Sequence, residues 1–466
     1  MDRIIINGGQ PLSGTISISG SKNACLPIMA ASILTDQNIN LSNVPNLEDI
    51  KTMSKVLTSL DVEVDTSKAN ENKITLKYLN TGKSIAEYDL VRKMRASILV
   101  LGPLLARKRH ASVSLPGGCA IGARPVDLHL NALAKLGAEF KLDRGYIECS
   151  APKGLKGEEI TFPTISVGAT ESLIMAATLA EGRTKLNNIA IEPEVIDLIH
   201  CLQSMGAKIE ITDQRTVIIE GVKELFGTSH NIISDRIETL TYVIAGALTG
   251  ENLKIENIQL EHVSNVLEIF KSLNIDFSFN NSSLNINKTK VFQGIELETR
   301  EYPGFPTDMQ AQLMVLLSKA NSESVITENI FENRYMHVPE LNRMGANISV
   351  EGKKAIIKPS EKLIGAEVMA TDLRASVSLI LAGLIAEGEI DTDELKIIAT
   401  ILQDGLVEVS EVKYLPSIRS FIIMITRFMW EEKIINKENK RVKAVLVFED
   451  VLSVFSKNID QMNKSN

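Results

Sequence analysis

At 466 residues, with 44% hydrophobic, 23% charged and 5% aromatic residues, the chain has an ordinary globular composition and exceeds one comfortable core, so two domains are expected. Its formal net charge of −8 argues against a nucleic-acid partner held by phosphate contacts, and no apolar run approaches the ~20 residues of a membrane span. The four cysteines (Cys25, Cys119, Cys149 and Cys201) show no CxxC pattern, the start MDRIIINGG lacks the order of a signal peptide, and the six histidines show no HxH or HExxH spacing. These features point to a cytoplasmic protein without disulfides, metal or cofactor.

In chain order, an opening strand from Ile4 to Ile18 precedes a unit that recurs. The unit begins with a helix apolar nearly all round, as in KNACLPIMAASIL from Lys22, and continues into a short strand. An amphipathic helix follows, as in DIKTMSKVLTSL from Asp49, then a turn and an alternating strand. Apolar helices return from Arg92, Gly168, Arg236, Thr307 and Thr371, and amphipathic ones from Asp127, Glu194, His262 and Val338. In the LGA and MGA turns glycine suits the left-handed position after a helix. The unit spans about 65–75 residues and occurs six times, three per domain. This predicts a first domain over 22–233, a second from 1–21 and 234–390, and an atypical segment over 391–466, because no second half-unit follows Gly388.

Polar residues recur at the starts of the apolar helices: Lys22-Asn23, Arg95, Ser166-Val167-Gly168, Asp308 and Arg374. Helix N-termini carry unpaired N–H groups and the positive end of the dipole, so convergent starts would make an anion-binding patch in each domain. Taken singly, a Lys or Arg there is ordinarily a solvated charge, and Asp308 or Asp372 an N-cap. Between Leu115 and Asp127 runs LPGGCAIGARPVD, which sets Cys119 between glycine turns and five residues from Arg124. This is a route to a lowered thiol pKa; locally, a surface turn with an incidental cysteine explains it equally well.

Longer stretches carry a resemblance: SGSKNACLPI at Ser19, YDLVRKMRASI at Tyr88, SLPGGCAIGARPVDLH at Ser114 and ISVGATE at Ile165. FPTDMQAQ at Phe305, ITENIFENRYMHVPEL at Ile326 and VMATDLRAS at Val368 extend it. Over residues 1–388 the chain resembles the UDP-N-acetylglucosamine 1-carboxyvinyltransferases, enolpyruvyl transferases that commit this nucleotide sugar to peptidoglycan synthesis. The resemblance implies an α/β fold of two inverse α/β barrels, each of three repeats. It implies transfer of the enolpyruvyl group of phosphoenolpyruvate to the sugar 3′-hydroxyl with release of phosphate, in an interdomain cleft.

Within the resemblance Cys119 matches the proton donor to the enolpyruvyl methylene, and the thiol that fosfomycin alkylates. Lys22, Asn23, Arg95 and Arg124 match positions around the anionic substrates, with Lys22 also counted as catalytic, and Asp308 matches the candidate base for the 3′-hydroxyl. Arg124, Pro125, Val126, Asp127, Leu128, Ser166, Val167, Asp308 and Ile330 match nucleotide-sugar contacts; Gly168 and Arg374 join them as helix starts. Thr164 stands where many members have a basic residue. Beyond Gly388 the chain departs from the family, and no DRGY motif supplies its phosphoenolpyruvate-contacting arginine. Leu395 to Val409 reads as a helix, a Gly405 break and a strand, a crude substitute for the missing half-unit. The alternatives are an inactive or impaired remnant of this enzyme and a shikimate-pathway enolpyruvyl transferase, against which the cysteine loop speaks.

Overall fold

The computed structural model describes residues 3–92, 94–115, 126–280, 282–369, 373–393, 405–415, 420–428 and 441–448. Expectations for Cys119, Arg124, Pro125 and Asp372 therefore lie outside the described residues. Residues Ile5–Asp391 form one compact unit, and Met1–Ile4 with Thr392–Asn466 another.

Within the larger unit one sheet design is used five times. An edge strand runs parallel to the strand after a buried helix; that strand pairs antiparallel with the second arm of a hairpin, whose first arm closes the sheet. In the first sheet these are Thr228–Asn231, Ile39–Ser42, Ile74–Tyr78 and Val62–Asp65. The edge strand comes from the far end of the first half, so that half closes on itself. The fourth sheet takes its edge strand, Leu12–Ser17, from the chain's start and lays it against Gly250–Glu256. The predicted opening strand is thus two strands, Arg3–Asn7 and Leu12–Ser17.

The buried helices are buried because they offer no polar face. Every residue from Ala24 to Ala31 and from Ala169 to Ala177 is buried, and so is all of Gln310–Leu317. The amphipathic helices lie outside them: Glu48–Ser59 buries Ile50, Met53, Val56 and Leu57 at helical spacing, while Lys51 is exposed and Glu48, Asp49 and Lys55 are half-buried. After each such helix comes a left-handed residue, which lets the chain reverse into its strand. It is Gly137 (φ 95°), Gly206 (φ 98°) and Gly345 (φ 92°) in the LGA and MGA turns, and Asp61 (φ 70°) and Asn274 (φ 65°) in the other two.

Buried apolar side chains gather into two cores, one running from Ala24 to Ile232, the other from Ile18 and then Ile237 to Ala386. The sixth sheet differs from the rest. Among the described residues it has three strands, Arg3–Asn7, Glu389–Asp393 and Glu367–Met369, in that order. The strand expected to complete it, within Leu395–Val409, is instead part of Gly405–Leu415, which pairs with Ser420–Phe428 in a separate antiparallel meander closed by Arg441–Phe448. Among the described residues no helix is long and apolar enough to cross a membrane.

Candidate active site

In the second core the starts of all three buried helices meet. The chain enters the third of them through a short turn, Thr307–Met309, that carries Asp308. Its side chain caps no helix, contrary to the simple N-cap expectation; it accepts hydrogen bonds from two arginines. Arg334 Nη2 donates to Oδ1 at 2.6 Å and Arg374 Nη2, from the start of helix Leu373–Ile385, donates to Oδ2 at 2.7 Å. Both guanidinium side chains are nearly covered, at 4% and 15% exposure, while 29% of the Asp308 side chain remains open to a ligand. Burial pushes the Asp308 carboxyl up, but the charges of Arg374 and Arg334, a hydrogen bond from Arg374 and the charge of Arg236 outweigh it and hold the group well below the usual carboxylate range. Asp308 is ionised, with both oxygens occupied.

Arg334 was not singled out from sequence, although it lies in the ENRYMH stretch that carried the resemblance. Glu328 was missed too. Its buried carboxylate accepts from Thr307 Oγ1 and Thr299 Oγ1, each at 2.9 Å, and from the backbone N–H groups of Ile330 at 2.8 Å and Phe331 at 3.1 Å. One acid therefore fixes the turn before Asp308 and the turn that leads to Arg334. Ile330, an expected sugar contact, is half-buried on that second turn.

The first core assembles a different group. Ser166 caps helix Val167–Ala177 by accepting from Ala169 N–H at 3.4 Å, leaving Val167 and Gly168 half-buried at its start. Gly168 is closely approached there: a Cβ would lie 3.1 Å from His129 Nε2. His129 is buried on helix Asp127–Lys135, which Val126 precedes and where Asp127 is exposed and Leu128 half-buried. Burial, with the charge of Arg95 at the start of the turn Arg95–Val100, brings the His129 imidazole down to about 4, so it is neutral at physiological pH. Arg95 and Gly168 are thus neighbours of one buried imidazole that sequence reading passed over; its only signal was its place after ARPVDL. Lys22 forms a 2.6 Å ion pair with Asp49, while Asn23 beside it is exposed. Thr164 is exposed as well.

Among the described residues no group of three or more His, Cys, Asp or Glu side chains is placed to hold a metal. Cys25, Cys149 and Cys201 are buried free thiols; burial first, then a nearby carboxylate, pushes Cys149 and Cys201 up to about 12 and Cys25 further still. None of the three is a nucleophile at neutral pH.

The family model of EPSP synthase (3-phosphoshikimate 1-carboxyvinyltransferase) matches residues 6–404, and a model for a protein of unknown function (DUF2948) matches residues 384–466. The UDP-N-acetylglucosamine 1-carboxyvinyltransferase of Gluconobacter oxydans is 52% identical over 389 residues, spanning 84% of this chain and 92% of the relative. The one from Granulibacter bethesdensis is 53% identical over the same shares. Among solved structures, the enolpyruvyl transferase NikO from Streptomyces tendae superposes with a TM-score of 0.78 at 22% identity, covering 86% of this chain and 94% of that one. EPSP synthase from Acinetobacter baumannii gives 0.68 at 18% identity, with 86% and 95% covered. These two show the shared fold; with the closer relatives and the model that spans both cores, the chain belongs to the enolpyruvyl transferase family, among its UDP-N-acetylglucosamine 1-carboxyvinyltransferases.

Proposed function

We propose that the chain transfers the enolpyruvyl group of phosphoenolpyruvate to the 3′-hydroxyl of UDP-N-acetylglucosamine and releases phosphate. The observation that carries this reading is the ionised Asp308 carboxylate held between Arg334 and Arg374 at the convergent helix starts of the second core. In the addition step the 3′-oxygen bonds to C2 of the enolpyruvyl group while its methylene carbon gains a proton. Loss of a proton from that carbon and of phosphate from C2 then restores the double bond. Asp308 takes the hydroxyl proton, and Cys119, outside the described residues, donates the proton to carbon.

Each Asp308 oxygen accepts from one arginine, and the carboxylate becomes a stronger base when a guanidinium turns to another anion. Phosphoenolpyruvate, with a phosphate and a carboxylate, offers two such anions, and planar guanidiniums suit both. Lys22, Asn23, Arg95, Arg124 and Arg374 are proposed to bind the anionic groups. Pro125, Val126, Asp127, Leu128, Ser166, Val167, Gly168 and Ile330 are proposed to bind the nucleotide sugar. The two cores are taken as its two domains, 22–233 and 1–21 with 234–390, and 391–466 as a separate segment. We place the protein in the cytoplasm, in keeping with its buried reduced thiols.

The test is phosphate release from the two substrates, beside Cys119→Ala and Asp308→Asn controls. Release that needs both substrates and falls about 100-fold or more in each control is the expected result. No release from folded, monodisperse wild type refutes it. One observation favours a second reading, an impaired remnant: among the described residues the sixth sheet has three strands where the other five have four. Nucleotide-sugar binding without turnover is that reading's signature.

A further inference from the structure

Two guanidiniums join the halves of the transferase, one reaching in each direction. Arg236 begins the first buried helix of the second core, and its Nε donates to Glu194 of the first core at 3.0 and 3.3 Å to the two carboxylate oxygens. Arg215 of the first core donates from Nη2 to the Tyr302 carbonyl of the second at 2.7 Å and from Nη1 to the Ile189 carbonyl at 2.9 Å. The Arg236 guanidinium also lies 5.6 Å from the centroid of the Tyr302 ring, so both arginines contact Tyr302.

This junction is costly as a mere fastener. The Arg236 and Glu194 side chains are 11% and 4% exposed, and a buried ion pair commonly stabilises no more than well-packed apolar residues of the same size. Two further buried acids stand behind Glu194, Glu192 and Glu171, and each has a carboxylate oxygen without a partner among the described residues. Burial first, then the neighbouring carboxylates of Glu194 and Glu192, push the Glu171 carboxyl well up. Arg236 feels the charges of both Glu194 and Glu192, with His262 half-buried nearby. What Arg236 adds beyond fastening is its place. Asp235 fixes the helix start by accepting from the N–H groups of Ile237 at 2.8 Å and Glu238 at 3.0 Å. That helix packs on the Thr307–Met309 turn, where Thr241 Oγ1 meets Met309 Sδ at 3.8 Å.

We propose that Arg236 is a positioning residue of the transfer site, tying the Asp308 turn to Glu194 of the other core and adding a third cation behind the two that hold the Asp308 carboxylate. The proposal rests on Asp308 acting on the acceptor hydroxyl. Arg236 does not itself touch the reacting atoms. It holds the base in place and keeps it charged while Arg334 and Arg374 turn to the substrate.

The experiment uses the full chain and three variants, Arg236→Gln, Arg236→Lys and Glu194→Gln. Steady-state phosphate release is measured as kcat and as KM for UDP-N-acetylglucosamine, with the active fraction set by circular dichroism. Arg236→Gln is expected to lower kcat by about tenfold to 100-fold with KM moved less than about threefold, and Lys, which keeps the charge, to recover most of the loss. Glu194→Gln keeps the cation near Asp308 and is expected to retain more kcat than Arg236→Gln. Losses in Gln and Lys alike that follow the melting temperature would assign the residue a structural role only and overturn the proposal. A second measurement needs no turnover: melting temperatures of Arg236→Gln in wild-type and in Asp308→Asn backgrounds. The substitution must cost less where Asp308 is already neutral; equal costs overturn the proposal, even if wild type releases no phosphate and the reading of the function itself has failed.

Discussion

Replacing Arg334 with glutamine tests the Asp308 cluster most directly. The change removes a guanidinium that is 4% exposed and ends its 2.6 Å bond to Asp308 Oδ1, leaving Arg374 as the carboxylate's hydrogen-bond partner among the described residues. Breaking a fully buried pair costs about 3–5 kcal/mol. Because 29% of the Asp308 side chain reaches solvent, screening lowers the expectation to about 2–3 kcal/mol. For a core of this size that is a fall in melting temperature of roughly 5–10 °C. The sign with pH follows from the depressed carboxyl. Its stabilisation is complete above the unfolded aspartate value of about 3.9 and is lost as pH falls through the lower folded value. In Arg334→Gln the folded value rises toward the unfolded one, so the deficit is full above about pH 4 and narrows in stronger acid. Thermal melts from pH 2.5 to 7, in wild-type and Asp308→Asn backgrounds, measure it. A deficit that survives unchanged in Asp308→Asn refutes the pairing.

Three further outcomes are expected. The His129 imidazole, brought down to about 4 by burial and Arg95, should show no NMR titration between pH 5 and 8, and its contribution to stability should be present above the unfolded value of about 6.5 and fade as pH falls toward 4; a midpoint near 6.5 would place the ring in solvent. Gly102→Ala sets a Cβ 2.4 Å from the Ser172 carbonyl oxygen, where the helix Leu101–Lys108 meets the helix Val167–Ala177, and should destabilise the first core by about 1–3 kcal/mol; calorimetry showing a gain in stability would contradict that packing. Brief alkylation of the native chain at pH 7 should spare Cys25, Cys149 and Cys201 and modify Cys119 alone, with fosfomycin acting on the same thiol; peptide mass spectrometry finding a modified Cys201 would sink the burial argument.

The sequence by itself determined the repeat. Helices apolar on all sides have nowhere to lie but inside, amphipathic ones only on the surface, and an LGA or MGA turn needs its left-handed glycine, so unit, order and count follow from local rules. It also marked Asp308 and Arg374, because chemistry that recurs at matched helix starts shows as a spacing. Only the tertiary structure decided what those residues meet. Arg334 reaches Asp308 from 26 residues away and Arg374 from 66, Glu194 meets Arg236 across 42, and no periodic signal links such positions. His129, Glu171 and Glu328 stayed hidden for the same reason: each stands out through burial and neighbours, which belong to the fold and not to the residue. The sixth unit shows the limit from the other side. A break after Gly388 was legible in the residues, but that the strand beginning at Gly405 joins its own meander is a matter of pairing. Backbone N–H and C=O groups carry no side-chain identity, so a strand's partner is set by register and space, and those are decided in three dimensions.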